Sequence, residues 1–112
     1  MCTQSTLNEI LEKVISRSKE IFKEKLTDII LFGSYARGDY DNESDIDILV
    51  VANIPVEEMQ FYRKRLDAIC GDLLFDYGVL VSIIEKDYDT YSRYSQILPF
   101  YKNIVKEGVK IA

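Results

Sequence analysis

Asp45 and Asp47, in the run DIDILVV, are the residues best placed to do chemistry. They stand at i and i+2 in a segment whose β-branched content reads as a strand, so both side chains point to one face. Their Cα atoms would lie roughly 6.5–7 Å apart. Two carboxylates at that spacing can converge on one cation or bracket two. Mg²⁺ suits such a pair, because it takes one or two carboxylates and completes its octahedron with water and substrate phosphates. Two such ions can clamp the attacking and leaving oxygens of a phosphoryl displacement. Aspartate is otherwise a poor strand residue, and two on one face repel each other. The pair therefore points to a metal more than to a polar strand end.

Upstream, Gly33-Ser34 closes the apolar run TDIILF. Glycine there lets the backbone approach a bulky anion. Successive amides in such a turn can form an anion-binding nest. Ser34 adds a hydroxyl, and Arg37 adds a planar cation suited to phosphate oxygens. A glycine turn alone is a weak signal. Beside a pair of acids on the next strand it suggests a phosphate held through a cation. The other acids, Asp39, Asp41 and Glu43 in GDYDNES, read as solvated loop acids, and Ser44 as a local hydrogen-bonding residue.

The bulk composition narrows the chemistry further. The chain has 112 residues and no histidine. That removes Ser-His-Asp and Cys-His catalysis and histidine metal ligands together. Cys2 and Cys70 form neither a zinc site nor a disulfide framework, and they read as thiols in a reducing compartment. The net charge of −5 argues against strong non-specific binding to nucleic acid or to an anionic membrane. It leaves room for a nucleotide held through metal. No secretory signal is visible, since charge begins at Glu9, and apolar runs such as Ile48 to Ala52 are too short to span a bilayer. A cytoplasmic location is expected.

The elements that must position these residues follow from periodicity. Leu7, Ile10, Leu11, Val14, Ile15, Ile21 and Phe22 predict a helix over Thr6 to Lys25, with Thr6 as N-cap and Glu9 completing a capping box. Strands are predicted at Thr27 to Phe32, Asp45 to Val51 and Val79 to Ile84. Pro55 opens a helix that runs to about Leu74, one side carrying Met59, Tyr62, Leu66, Ile69, Cys70 and Leu73, while Arg63, Lys64, Arg65 and Asp67 face water. Asp87 to Tyr94 and Pro99 to Lys106 predict short helices, the first with a tyrosine stripe at Tyr88, Tyr91 and Tyr94. The order is that of an α/β unit, a small sheet with helices packed on it, and residues 1–112 read as one domain.

Gly33-Ser34, ten intervening residues and then Asp45-Ile46-Asp47 match the GS-x10-DxD signature of the polymerase β-like nucleotidyltransferases. Arg37 and Gly38 fit the longer GSxARG form, and the chain resembles a minimal nucleotidyltransferase (MNT) from Thr27 to Val109. The resemblance implies the polymerase β-like nucleotidyltransferase fold, with a small mixed sheet. It implies transfer of a nucleoside monophosphate, AMP from ATP above all, to an acceptor hydroxyl with release of pyrophosphate. Gly33 and Ser34 would hold the β- and γ-phosphates, Arg37 would assist, and Asp45 and Asp47 would ligate Mg²⁺, two ions in all. Proteins of this type are often antitoxins paired with a HEPN-domain toxin, and some adenylylate a tyrosine on that partner.

The family usually supplies a third carboxylate from the next core strand, and the matching position here reads as Gly78. If that strand reached back to Asp76, Asp76 would share Gly78's face and stand in as the third catalytic acid. Losing such a base typically slows transfer by about a hundred- to ten-thousand-fold. This gives a rival expectation, an MNT antitoxin of weak or absent catalysis that neutralises a HEPN ribonuclease by binding alone. Little chain remains for a lid or an acceptor pocket. A partner protein or a second copy in a homo-oligomer is expected to complete the site, and a drug-modifying enzyme with a further domain is disfavoured.

Overall fold

The computed structural model describes residues 3–41 and 43–112, so Cys2 lies outside them. Helix α1 spans Gln4–Phe22, one turn earlier than the capping box suggests. Thr3 is the N-cap, and its Oγ1 accepts a hydrogen bond from the Thr6 amide (3.1 Å). Both threonines precede the apolar period, and the earlier one satisfies the orphan amides of the first turn.

Strands β1 (Leu26–Phe32) and β2 (Ile46–Ala52) pair antiparallel. Strand β3 (Val81–Asp87) pairs parallel to β2, and the parallel pairing demands the long crossover that α3 (Arg63–Tyr77) supplies. Two residues missing from the expected element list, Val109–Lys110, form β4 against β1. The sheet order is β3-β2-β1-β4, a mixed sheet. Between β1 and β2 the chain forms a single helical turn, α2 (Ser34–Arg37). Short helices α4 (Tyr88–Tyr94) and α5 (Pro99–Glu107) follow β3, the first capped by Asp87, which accepts from the Thr90 amide (2.9 Å), and the second opened by Pro99.

Alternation along the strands builds two cores. Ile29, Leu31, Ile46, Ile48, Val50, Val81 and Ile83 point to the face covered by α1 and α3, where Ile10, Val14, Leu66, Ile69 and Leu73 meet them. Ile30, Leu49 and Val51 point to the other face, under Ile104 of α5, with Phe32, Ile84 and Tyr91 beside them. Both faces of β2 are covered, which explains its apolar second half. The tyrosine stripe is divided: Tyr91 packs edge-on against Tyr101, while Tyr88 is exposed. Arg63, Lys64 and Arg65 are exposed as expected, but Arg63 also bridges to Glu85 (2.6 Å). None of the described helices is long and apolar enough to cross a membrane.

One core position is imperfect. Ser18 is fully buried in α1, and its hydroxyl is the one buried side-chain polar atom without a partner among the described residues. Ser18→Ala removes that unmet group and adds helix propensity, so it is expected to stabilise the fold by about 1 kcal/mol. A urea titration with an unchanged slope and a raised midpoint would report it, and a lowered midpoint would show that the hydroxyl has found a backbone acceptor.

Candidate active site

The antiparallel hairpin brings the two halves of the motif together. Phe32, the last residue of β1, pairs with Asp47 near the start of β2. The chain must leave β1 one residue later without striking the Asp47 side chain. Gly33 does this at φ +75°, ψ −156°, where side chains are strained, and a Cβ there would run into Asp47 Oδ2. The bare backbone of Gly33 and the Asp47 carboxylate therefore lie against each other. Gly33 is the N-cap of α2, so the turn's first amides project from the same corner. Tyr35 is buried in the larger core and stacks on Tyr40 at 4.2 Å, which fixes the turn and the loop that follows.

Asp45 immediately precedes β2 and is exposed, while Asp47 is half-buried. Burial pushes the Asp47 carboxyl up, the Asp45 charge pushes it further, and Arg37 opposes both. All three groups therefore share one electrostatic site. Arg37 is exposed and held from two sides, by Asp39 (3.1 Å) and by Glu107 of α5 (3.5 Å). Asp41 and Ser44 bond one another and Asp41 accepts from the Glu43 amide, a self-contained loop of the kind the sequence suggests.

The third carboxylate is not where the sequence reading looks for it. The strand does not reach back to Asp76. Helix α3 continues through Tyr77, and Gly78, at φ +67°, is its left-handed C-cap. Asp76 is exposed on that helix, which packs on the face opposite to Asp47. The parallel register puts Ser82 beside Asp47, and two residues earlier Leu80 falls beside Asp45. Glu85 points to α3 and pairs with Arg63, while Asp87 ends β3 as the cap of α4. Among the described residues no cluster of three or more acidic, cysteine or histidine side chains could hold a metal.

Sequence reasoning also missed what stands beside the Gly33 turn. Phe100, Asn103 and Glu107 recur along one face of α5 and, with Phe32, Gly33 and Arg37, line a cavity of about 260 Å³. Phe100 sits edge-on to Phe32 (5.9 Å). The helical spacing of these residues is legible in the sequence, but which strand the helix covers is not.

The residues present fit a divalent cation. Two hard carboxylate oxygen donors carry mutual repulsion that only a positive charge relieves, next to a backbone stripped of its Cβ. A mixed sheet with a glycine-serine turn against two acids is the arrangement of a nucleotide-handling phosphotransfer protein. Residues 11–111 match the family described as "Nucleotidyltransferase domain". A Methanocaldococcus jannaschii protein named as a candidate protein adenylyltransferase is 34% identical over 98 residues, covering 88% of this chain and 90% of that protein. Another from the same organism, named alike, is 40% identical over 78 residues, covering 68% and 75%. A crystal structure of a toxin–antitoxin with AMP-PNP superposes with a TM-score of 0.58 at 21% identity, over 91% of this chain and 72% of that one, and shows the shared fold. The chain belongs to the nucleotidyltransferase domain family.

Proposed function

We propose that this protein transfers AMP from ATP to a hydroxyl of a partner protein, with Asp45 and Asp47 holding Mg²⁺. The contact between Gly33 and the Asp47 carboxylate carries the reading, because it puts a backbone turn bare of side chain and a two-oxygen ligand at one corner. Bound Mg²⁺ would neutralise the phosphate oxygens and polarise the α-phosphorus. Gly33 and Ser34 would receive the β- and γ-phosphates, and Arg37 would exchange Asp39 and Glu107 for phosphate oxygens. Asp45, exposed, and Asp47, half-buried, would orient the α-phosphate for in-line attack, with pyrophosphate leaving toward the turn.

The relatives named for protein adenylylation support a protein acceptor. The toxin–antitoxin neighbour supports a toxin partner, for which a HEPN-domain protein with an acceptor tyrosine is our candidate. Incubation with that partner, Mg²⁺ and ATP labelled at either the α- or the γ-phosphate is the test. Label from the α-position alone is expected on the partner; label from the γ-position would mean phosphoryl transfer and overturn the reading.

One observation favours a second reading. With Leu80 and Ser82 beside the aspartates, β3 offers no carboxylate to take the acceptor's proton. An antitoxin that acts by binding alone would neutralise its partner without nucleotide. Its neutralisation would survive the Asp45→Asn, Asp47→Asn double variant.

A further inference from the structure

Arg37 lies between two carboxylates of different origin. Asp39 stands two residues along the same loop and makes the shorter bond, 3.1 Å. Glu107 reaches across from α5 at 3.5 Å and lines the cavity beside Gly33, as Arg37 itself does. Asp39 does not line that cavity. Lys102 and Lys106 of the same helix are exposed and lie outside the lining. Among the described residues, the cavity therefore holds one cation, Arg37, and one anion, Glu107.

The helix gives no reason for an acid there. Glu107 is the last residue of α5, where the negative end of the helix dipole disfavours a carboxylate. Its side chain is 42% exposed, so core packing does not fix it either. The bond across to Arg37 is what its position achieves. The other charges of this end of the sheet are already committed. Arg63 and Asp67 share a second cavity with Asp45, but Arg63 is held by Glu85 (2.6 Å) and by Asp67 (3.2 Å). Asp45 and Asp47 are carboxylates and repel phosphate unless a cation covers them. Arg37 is the guanidinium beside the Gly33 turn, and it meets a phosphate there only by leaving Glu107.

We propose that Glu107 is a release residue, which competes for Arg37 with the terminal phosphates of a bound nucleotide and with the pyrophosphate product. An entering polyphosphate draws Arg37 away from Glu107. When pyrophosphate loosens, Glu107 takes Arg37 back and the anion cannot rebind at full strength. Glu107 touches no reacting atom and acts through Arg37, as a positioning residue. This rests on the phosphate-binding reading of Arg37. The competing groups are exposed, and pairs of that kind shift an equilibrium by about two- to fivefold.

The test is calorimetry of the intact protein with Mg²⁺ and three probes: inorganic pyrophosphate, a non-hydrolysable ATP analogue and AMP. Glu107→Gln is expected to bind pyrophosphate and the analogue about two- to fivefold more tightly than the wild type, with AMP unchanged. Asp89→Asn removes an exposed charge that lines a different cavity, and it should alter none of the three. In an Arg37→Gln background, Glu107→Gln should bring no gain, because the residue through which it acts is gone. Unchanged pyrophosphate affinity in Glu107→Gln would overturn the proposal. So would an equal gain for AMP, a matching gain in Asp89→Asn, or the full gain in the Arg37→Gln background. A wild type that binds none of the probes would overturn the phosphate reading beneath it, and the proposal with it.

Discussion

Asp47→Asn is expected to reduce nucleotidyl transfer by at least about a thousand-fold and, in the same protein, to raise the thermal midpoint of the ligand-free state. The two effects share a cause. Burial and the Asp45 charge hold the Asp47 carboxyl above its ordinary range in the folded chain, against a lesser pull from Arg37. A carboxyl raised on folding favours the fold when protonated. Its contribution is complete below the unfolded pKa and is lost as pH rises through the higher folded value. At neutral pH the carboxylate is therefore a source of strain that asparagine removes while keeping the shape. A gain of about 0.5–2 kcal/mol is expected, the size of a single stabilising substitution. The gap between variant and wild type should open between those two pH values and stay level above them. Added Mg²⁺ with a nucleotide analogue should reverse the order, because ligand binding stabilises only the protein that binds it. Thermal melts across pH, with and without that ligand, check both parts.

Gly33→Ala should be damaging in both respects. The backbone stands at φ +75°, ψ −156°, a region that costs a side-chain-bearing residue about 1–3 kcal/mol. The new methyl would also occupy the space of Asp47 Oδ2. The carboxylate is the mobile end of its side chain and can swing away, so the fold should survive with a lowered denaturation midpoint. The swing would move the proposed cation ligand away from the turn, and a misplacement near 1 Å can cost a hundred-fold in rate. Transfer should fall by at least that factor, with KM for the nucleotide rising. Gly38→Ala is the control. It also has positive φ, but a Cβ there meets nothing within contact distance, so it should lower stability while leaving Asp47 in place.

The parts of the site built from local sequence were legible. The β1 strand, the turn at Gly33 and the acids at Asp45 and Asp47 lie within one hairpin, whose register follows from alternation of apolar residues. The long-range parts were not. Tyr77-Gly78-Val79 reads equally well as the start of a strand or the end of a helix. The left-handed φ of Gly78 decides for the helix, and that takes Asp76 away from the sheet. Ser82 became a site residue only through the parallel register of β3 with β2, and a shift of one residue would have turned it to the other face. Asn103 and Phe100 carry a helical period that fits any apolar surface, and only the packing of Ile104 on Ile30 and Leu49 aims them at Gly33. The 3-10 turn Val56–Tyr62 after Pro55, where one continuous helix was expected, gave no local signal beyond the proline itself.

The most direct test of the proposal is transfer of AMP from α-labelled ATP to the candidate HEPN-domain protein by the wild type and by the Asp45→Asn, Asp47→Asn double variant. Circular dichroism would show that both proteins are folded. The account predicts Mg²⁺-dependent labelling of the partner by the wild type and none by the variant. Equal labelling by the two would contradict it.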